Sequence, residues 1–435
     1  MLKRILVIAA GVVLGVVVSV GAVRVAAAWG FWPNRELEQS SRYVREVLGV
    51  VNDNYVDADK AALPKLTESA LRGILDSLDP HSEYLTARDY KRLDEDIKNE
   101  FGGIGVQVES RKGGIVVIAP IAGTPGAKAG ILRGDVIVSI DGRPLEKPSL
   151  DDVVGRLRGK PGSTVTIGFN RPATGKSFET TITRERIKVD SVRDVRLRSD
   201  GIGYARIIQF SDRTGEEFVE AINTLNEQSM RALILDLRDN PGGLLNAAVE
   251  VAEPFFDKGE LIVYTQGRKA GDRTDYRAAA PEPRLTIPVA VLINAGSASA
   301  AEIVSGALKD TRRAVIVGER SFGKGSVQTI LPLRDGEGLR LTTARYFTPG
   351  GVTIHEKGVT PDVEVVMTPD EDESARIQRA RDDVVDPEEF KERFKIDPTP
   401  DRQLEAAVAV LRSALILVAR GPQGTPASPA AKKTP

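Results

Sequence analysis

Ser297 and Ser299 lie in the stretch Pro288 to Ile303, PVAVLINAGSASAAEI, and Lys324 and Gln328 lie in Ser321 to Gln328, SFGKGSVQ. A serine hydroxyl is a weak nucleophile until a neighbouring base takes its proton. The chain has no cysteine, which excludes disulfides, a thiol nucleophile and thiolate metal sites. Its two histidines, His81 and His355, are too few for a histidine-rich metal centre, and neither is near these strands in sequence. Chemistry therefore falls to oxygen and amine groups. A lysine acts as base when burial lowers its pKa, because desolvation disfavours the ammonium. Lys324, flanked by Gly323 and Gly325, is placed for that role. A Ser–His pair assembled by folding is the weaker alternative. Gln328 follows Lys324 by four residues, so in a helix the two share a face and the amide can orient the amine. Taken singly, these residues also have ordinary roles, an N-cap for a serine and a solvated side chain for a lysine.

Such groups need rigid elements to hold them. Val289 to Ile293 is an apolar β-branched run that breaks at Asn294, Ala295 and Gly296 before small residues of helical character, which predicts strand, tight turn and helix start. A second strand, Ala314 to Gly318, delivers Lys324. Around them, Ile202 to Gln209 and Ala232 to Leu237 read as strands, as does Leu261 to Thr265, and Glu216 to Asn226 and Leu244 to Phe255 read as helices. The alternation predicts a mainly parallel sheet covered by helices, with active groups at the carboxyl ends of the strands. Between Ala232 to Leu237 and the next helix lies Arg238-Asp239-Asn240-Pro241-Gly242-Gly243, whose glycines free backbone N–H groups where negative charge would be stabilised. A purely structural strand-to-helix turn is the alternative.

At 435 residues the chain is expected to hold two or three domains, and its 41% hydrophobic content suffices for packed cores. A net charge of −1 argues against nucleic acid or another polyanion as partner. Lys3 and Arg4 precede the uncharged run Ile5 to Val23, closed by Arg24 and Ala26-Ala27-Ala28, which predicts export with a membrane anchor or a cleaved signal. Asn34 to Asp96 has helical periodicity, interrupted at Asn54 to Asp59 and at Asp79-Pro80. Asp370 to Lys395 is highly charged and reads as a solvated linker or surface helix. Leu404 to Ala419 reads as an apolar-faced helix docking on the body or on a partner, and Gly421 to Pro435 as a disordered tail.

Phe101 to about Lys188 has short β runs at Gly105 to Glu109, Ile115 to Ala119, Val136 to Ile140 and Thr164 to Asn170, with helices at Pro125 to Ala129 and Leu150 to Leu157. Gly103-Ile104-Gly105-Val106, the run GIVVIAPIAGTPGAKAGILRGDVIVSIDG from Gly114 to Gly142, and GKPGSTVTI from Gly159 to Ile167 together resemble a PDZ domain. Small consecutive residues leave backbone N–H groups open to a terminal carboxylate, beside a sheet edge that accepts a peptide as an added strand.

LILDLRDNPGG (Leu233 to Gly243), VLINAGSASAAEI (Val291 to Ile303), VGERSFGKGSVQ (Val317 to Gln328), LRLTTARYFTPGG (Leu339 to Gly351) and GVTPDVEV (Gly358 to Val365) closely resemble the C-terminal processing peptidases, or tail-specific proteases. With LDPHSEYL (Leu78 to Leu85) the resemblance spans roughly residues 35–368. It implies an α/β, crotonase- or ClpP-like protease core with a mainly parallel sheet, an inserted PDZ domain and a helical N-terminal element. The corresponding divisions are an anchor or signal at 1–30, a helical region at 31–97, the PDZ domain at 98–188, the protease at 189–369, a charged helical region at 370–420 and the tail at 421–435. It further implies Ser299 as nucleophile, Lys324 as general base, Gln328 as its orienting group, and Gly243 with Ala300 as oxyanion-hole donors, the choice between Gly243 and its neighbour Gly242 staying open. Gly103, Ile104, Gly105 and Val106 become the substrate-binding loop, and Arg158 matches a position associated with communication between the two domains. Glu302 matches an acidic residue often present in the family, whereas Ala301 stands where a serine is common. No cofactor or metal is implied. The expected partners are proteins or peptides with accessible C-termini, with an adaptor protein, self-association and membrane attachment through the N-terminal segment as further candidates. The rivals are an idle PDZ scaffold that binds tails in the cell envelope and a hydratase-like acyl enzyme of the crotonase type.

Overall fold

A run such as Val289–Ile293, apolar on both faces, is stable as a strand only when both faces are covered. In the computed structural model it is the fully buried middle of a sheet in the order Val192–Leu197, Ile202–Ile207, Ala232–Asp236, Val289–Ile293, Val315–Gly318 and Val363–Glu364. The first pair is antiparallel and every later pair parallel. The structure describes residues 35–420 except 112, 113, 147, 280–283, 382, 383 and 385. The expected anchor or signal and the expected disordered tail lie outside the described residues.

By its contacts the chain forms two compact units that divide between Tyr84 and Leu85. The smaller contains the helices Arg35–Asn54 and Leu63–Asp76, the second opening on Pro64, whose missing N–H costs nothing in a first turn. The larger contains everything that bears the candidate chemistry.

In the larger unit, one face of the parallel sheet is covered by the helices Thr214–Glu227, Leu245–Ala252 and Ala300–Asp310, with Phe218, Leu225, Val251, Val304 and Leu308 in a common core. The other face is covered by Arg402–Arg420, whose Ala407, Val408 and Leu411 pack on Ile202, Ile234, Leu292 and Val317. The last helix thus docks on its own body. An antiparallel arrangement beside this core pairs Gly338–Phe347 with both Leu261–Gly267 and Ser326–Pro332.

The glycine-rich segment folds as Val106–Arg111, Gly114–Pro120, Val136–Ile140, Thr164–Arg171 and Lys176–Thr183, antiparallel throughout. Its core holds Ile104, Ile115, Val117, Ile167 and Phe169. Val106–Arg111 is an edge strand and faces the helix Leu150–Leu157, which Ser149 caps by accepting from the Asp152 N–H. This is the groove geometry of a PDZ domain.

The charged stretch Asp370 to Lys395 forms helices, Pro369–Ala380 and Pro387–Phe394, rather than a linker, and three of its arginines are not solvated but turn to carboxylates elsewhere in the chain. Arg381 and Arg393 each hold Glu109 at 2.8 Å, and Arg379 holds Asp239 at 2.8 Å. Charge density marks solvation only when partners are absent, and here they come from residues more than a hundred positions away.

Candidate active site

Three parallel strands, Ala232–Asp236, Val289–Ile293 and Val315–Gly318, end on the same side, and the loops that follow them carry the candidate groups. In the middle loop the two serines part company. Ser297 is fully buried; its hydroxyl donates to the Leu237 carbonyl at 2.8 Å and accepts from the Asn294 N–H at 3.0 Å. It pins one strand-end loop to the next. Ser299 is partly exposed and sits at φ +55, ψ −113, a conformation that costs a non-glycine residue about 1–3 kcal/mol. The helix Ala300–Asp310 starts directly after it.

The first N–H groups of a helix have no partner within it. Ala300 N–H finds no acceptor among the described residues, and the same holds for Gly243 N–H. Gly242, by contrast, is buried and donates to Asn240 Oδ1 at 2.8 Å, while Gly243 is exposed. Gly242 lies so close to the nucleophile that a Cβ on it would stand 2.7 Å from the Ser299 Cβ. The turn therefore needs glycine for close approach as well as for its φ of +99.

Lys324 is half-buried in the loop before Ser326–Pro332. Burial, and then the charge of Arg340, lowers its pKa, against the opposing pull of Glu302. Lys324, Ser299, Gly243, Gln328, Arg340 and Tyr346 share one cavity of about 230 Å³. Among the described residues no hydrogen bond joins Ser299 Oγ to Lys324 Nζ.

Gln328 stands on a strand, not on a helix, so the one-turn spacing from Lys324 does not apply. Four residues of extended chain span about 13 Å, against 6 Å in a helix. Its Nε2 donates to Ser326 Oγ at 2.9 Å and to Thr342 Oγ1 at 3.4 Å. It lines the cavity, and among the described residues no hydrogen bond joins it to Lys324.

Two further residues, Glu302, which the sequence marked without a role in the chemistry, and Tyr346, which it did not mark, tie nucleophile and base together. The buried Glu302 carboxylate accepts from Ser299 N–H at 2.8 Å and Lys324 N–H at 2.9 Å through Oε2, and from Ser321 Oγ at 2.5 Å and Gly323 N–H at 2.7 Å through Oε1. Burial raises its pKa, and the four donors oppose that rise. The Tyr346 hydroxyl lies within hydrogen-bond reach of the carbonyls of both Ser299 and Lys324, which share its one proton. The Ser-x-x-Glu spacing was a visible signal for Glu302, as a capping pattern; nothing local marks Tyr346.

Some 195 residues upstream, Gly103, Ile104, Gly105 and Val106 line a groove of about 150 Å³ with Arg158. The Ile104 side chain is buried in the domain core, and the N–H groups of Ile104 and Gly105 have no acceptor among the described residues. Gly105 has φ +72 and packs against Thr124, leaving no room for a Cβ. The Arg158 guanidinium lies 4.3 Å from the Phe101 ring centre.

Residues 201–365 match Peptidase family S41, and residues 102–182 match the PDZ domain. The chain is 46% identical over 305 residues to the carboxy-terminal-processing protease of Bartonella bacilliformis, an alignment covering 69% of this chain and 70% of that one. It is 38% identical over 304 residues to the carboxy-terminal processing protease CtpA of Bacillus subtilis, covering 70% and 64%. Among solved structures, the photosystem II D1 C-terminal processing protease is 33% identical, covers 74% of this chain and 92% of that one, and superposes with a TM-score of 0.43.

Proposed function

The chain belongs to the carboxy-terminal processing proteases, serine peptidases of family S41 that carry a PDZ domain, and on that premise we propose that it is an exported endopeptidase that captures C-terminal tails in its PDZ groove and cleaves them with Ser299 and Lys324. The observation that carries this reading is the convergence on one cavity of a strained serine, a lysine of lowered pKa and a Gly243 N–H with no acceptor among the described residues.

In the proposed reaction neutral Lys324 takes the Ser299 proton as Oγ attacks the scissile carbonyl. The oxyanion is held by Gly243 and Ala300 N–H, donors that spend nothing on reorganisation because no internal acceptor competes for them. Lys324 then passes the proton to the leaving amine, and water, deprotonated by the same lysine, releases the acyl group. Gln328 holds the strand edge behind the lysine through Ser326 and Thr342. In the groove, the Ile104 and Gly105 N–H groups receive the tail carboxylate and Val106–Arg111 takes the tail as an added strand. Tethering raises the effective concentration of nearby peptide bonds at Ser299.

The test compares wild type, Ser299→Ala and Lys324→Ala on an unfolded protein with a free C-terminal tail. Turnover is expected to vanish in the first variant and to fall by about 10²–10⁴-fold in the second, the usual range for a general base. A fluorophosphonate should phosphonylate Ser299 Oγ in the wild type, with loss of fluoride, and raise its mass by that of the reagent less HF. Equal turnover by Ser299→Ala and wild type would sink the proposal.

A further inference from the structure

The turn that presents Gly243 contains two adjacent glycines at φ +99 and +142, values that impose little torsional restraint on the peptide between them. Phe210 holds that peptide directly, its N–H donating to the Gly242 carbonyl at 2.9 Å and its carbonyl accepting the Leu244 N–H at 2.9 Å, so what still needs an outside hold is the part of the turn before it, residues 238–240. We propose that Arg379 and Asp401, from the C-terminal segment, are positioning residues that clamp this turn and so aim the Gly243 N–H at the reacting carbonyl; this rests on the reading of Gly243 as an oxyanion donor.

The first arm of the clamp passes through Arg238. Its side chain is fully buried, with Nε and Nη2 donating to Asp236 at 3.0 and 2.6 Å. Its far side is completed only by the C-terminal segment: Nη1 and Nη2 donate to Asp401 at 2.7 and 2.8 Å, and Nη1 donates to Gln403 at 3.2 Å. Tyr204 donates to Asp236 at 2.7 Å from beneath. Leaving a donor of this fully buried guanidinium unmet would be costly, so the backbone at residue 238 is held where Asp401 can reach. Asp401 is itself fixed, because it accepts the Leu404 N–H at 3.0 Å at the start of Arg402–Arg420.

The second arm reaches one residue further. Arg379 donates to Asp239 Oδ2 at 2.8 Å, while Asn294, from the nucleophile loop, donates to Asp239 Oδ1 at 2.8 Å. Asp239 is the point where the turn reverses, at φ +57. The next residue hands the constraint on. The Asn240 carbonyl accepts the Ala298 N–H at 2.9 Å and its Oδ1 accepts the Gly242 N–H at 2.8 Å, so the residue before the Phe210-held peptide is tied to the nucleophile loop, and the Gly243 N–H has no acceptor among the described residues. The clamp thus orients donor and nucleophile loop together.

The test uses the full chain with Arg379→Gln, Asp401→Asn, Asp401→Glu and, as reference, Ser299→Ala. Arg379→Gln leaves the Arg238 ion pairs with Asp236 and Asp401 in place, so it should fold even where Asp401→Asn does not. kcat and KM are measured per folded molecule, with affinities for a peptide boronate and for the corresponding peptide acid. Arg379→Gln and Asp401→Asn are expected to lose kcat about tenfold to a hundredfold, the scale of a misplaced catalytic group. KM and peptide-acid affinity should change little, boronate affinity should fall in parallel with kcat, and Asp401→Glu should recover part of the loss. A wild-type kcat in Arg379→Gln overturns the clamp, as does a loss of kcat with no loss of boronate preference over the acid. Turnover by Ser299→Ala would instead overturn the active-site reading, whatever the Arg379 result.

Discussion

At residue scale, the candidate chemistry depends on two groups made unusual by their surroundings. Ser299 is held at positive φ with its N–H bonded to Glu302, and Lys324 is held by the same carboxylate while burial and Arg340 lower its pKa. The sign of the pH dependence follows. A lysine whose pKa is lowered becomes neutral at a lower pH than a free one, so kcat/KM should rise with pH through that lowered value. Arg340→Gln removes a cation that favours the neutral amine. The rising limb of the pH profile is therefore expected to move to higher pH, and a limb that stays in place or moves down would show that Arg340 does not act on the base. Glu302 pulls in the other direction electrostatically, but its main service is geometric, since it joins the backbones of both partners.

At element scale, the site is a product of strand ends. Where an apolar run is bounded by turn residues, the element forms with the limits its sequence predicts, as in Val289–Ile293, Val136–Ile140 and Leu150–Leu157. Ser326–Pro332 behaves otherwise, because its extended form comes from pairing with Gly338–Phe347, a partner that a local reading does not contain. That is why the condition under which Gln328 would share a helical face with Lys324 is not met. The PDZ loop shows the opposite situation, with a requirement written locally: Gly105 needs φ +72 and has no space for a side chain beside Thr124. Gly105→Val is expected to weaken binding of a C-terminal peptide by at least about tenfold, the cost of straining or displacing that backbone. Fluorescence polarisation with a labelled tail peptide measures it, and undiminished affinity would place the tail elsewhere.

At the scale of the whole molecule, the C-terminal segment joins parts that the sequence keeps far apart. Arg381 and Arg393 hold Glu109 on the edge strand of the PDZ groove, Arg379 and Asp401 hold the turn of Gly243, and the last helix covers the outer face of the main sheet. Among the described residues no helix is long and apolar enough to cross a membrane. The proposed export rests on the basic residues Lys3 and Arg4 before the run Ile5 to Val23. Full-length protein is expected in the envelope fraction, accessible to protease added outside the inner membrane, and a chain lacking residues 1–30 should stay in the cytoplasm. Equal distribution of the two would remove the export claim.

The sequence by itself determined the chemistry available and the order of the parts: no thiol, a serine after a buried strand, a glycine-flanked lysine, and a glycine loop ahead of an antiparallel domain. These are local properties, set by side-chain type and by a spacing of a few residues. Tertiary structure decided which serine is pinned and which is partly open, since Ser297 is fixed by a carbonyl sixty residues away. It decided that Gly242 spends its N–H on Asn240 while Gly243 keeps its own. It also turned Arg379, Arg381 and Arg393 of the charged stretch after Pro369 toward distant carboxylates. An ion pair is a property of two positions at once, and the sequence shows only one of them at a time.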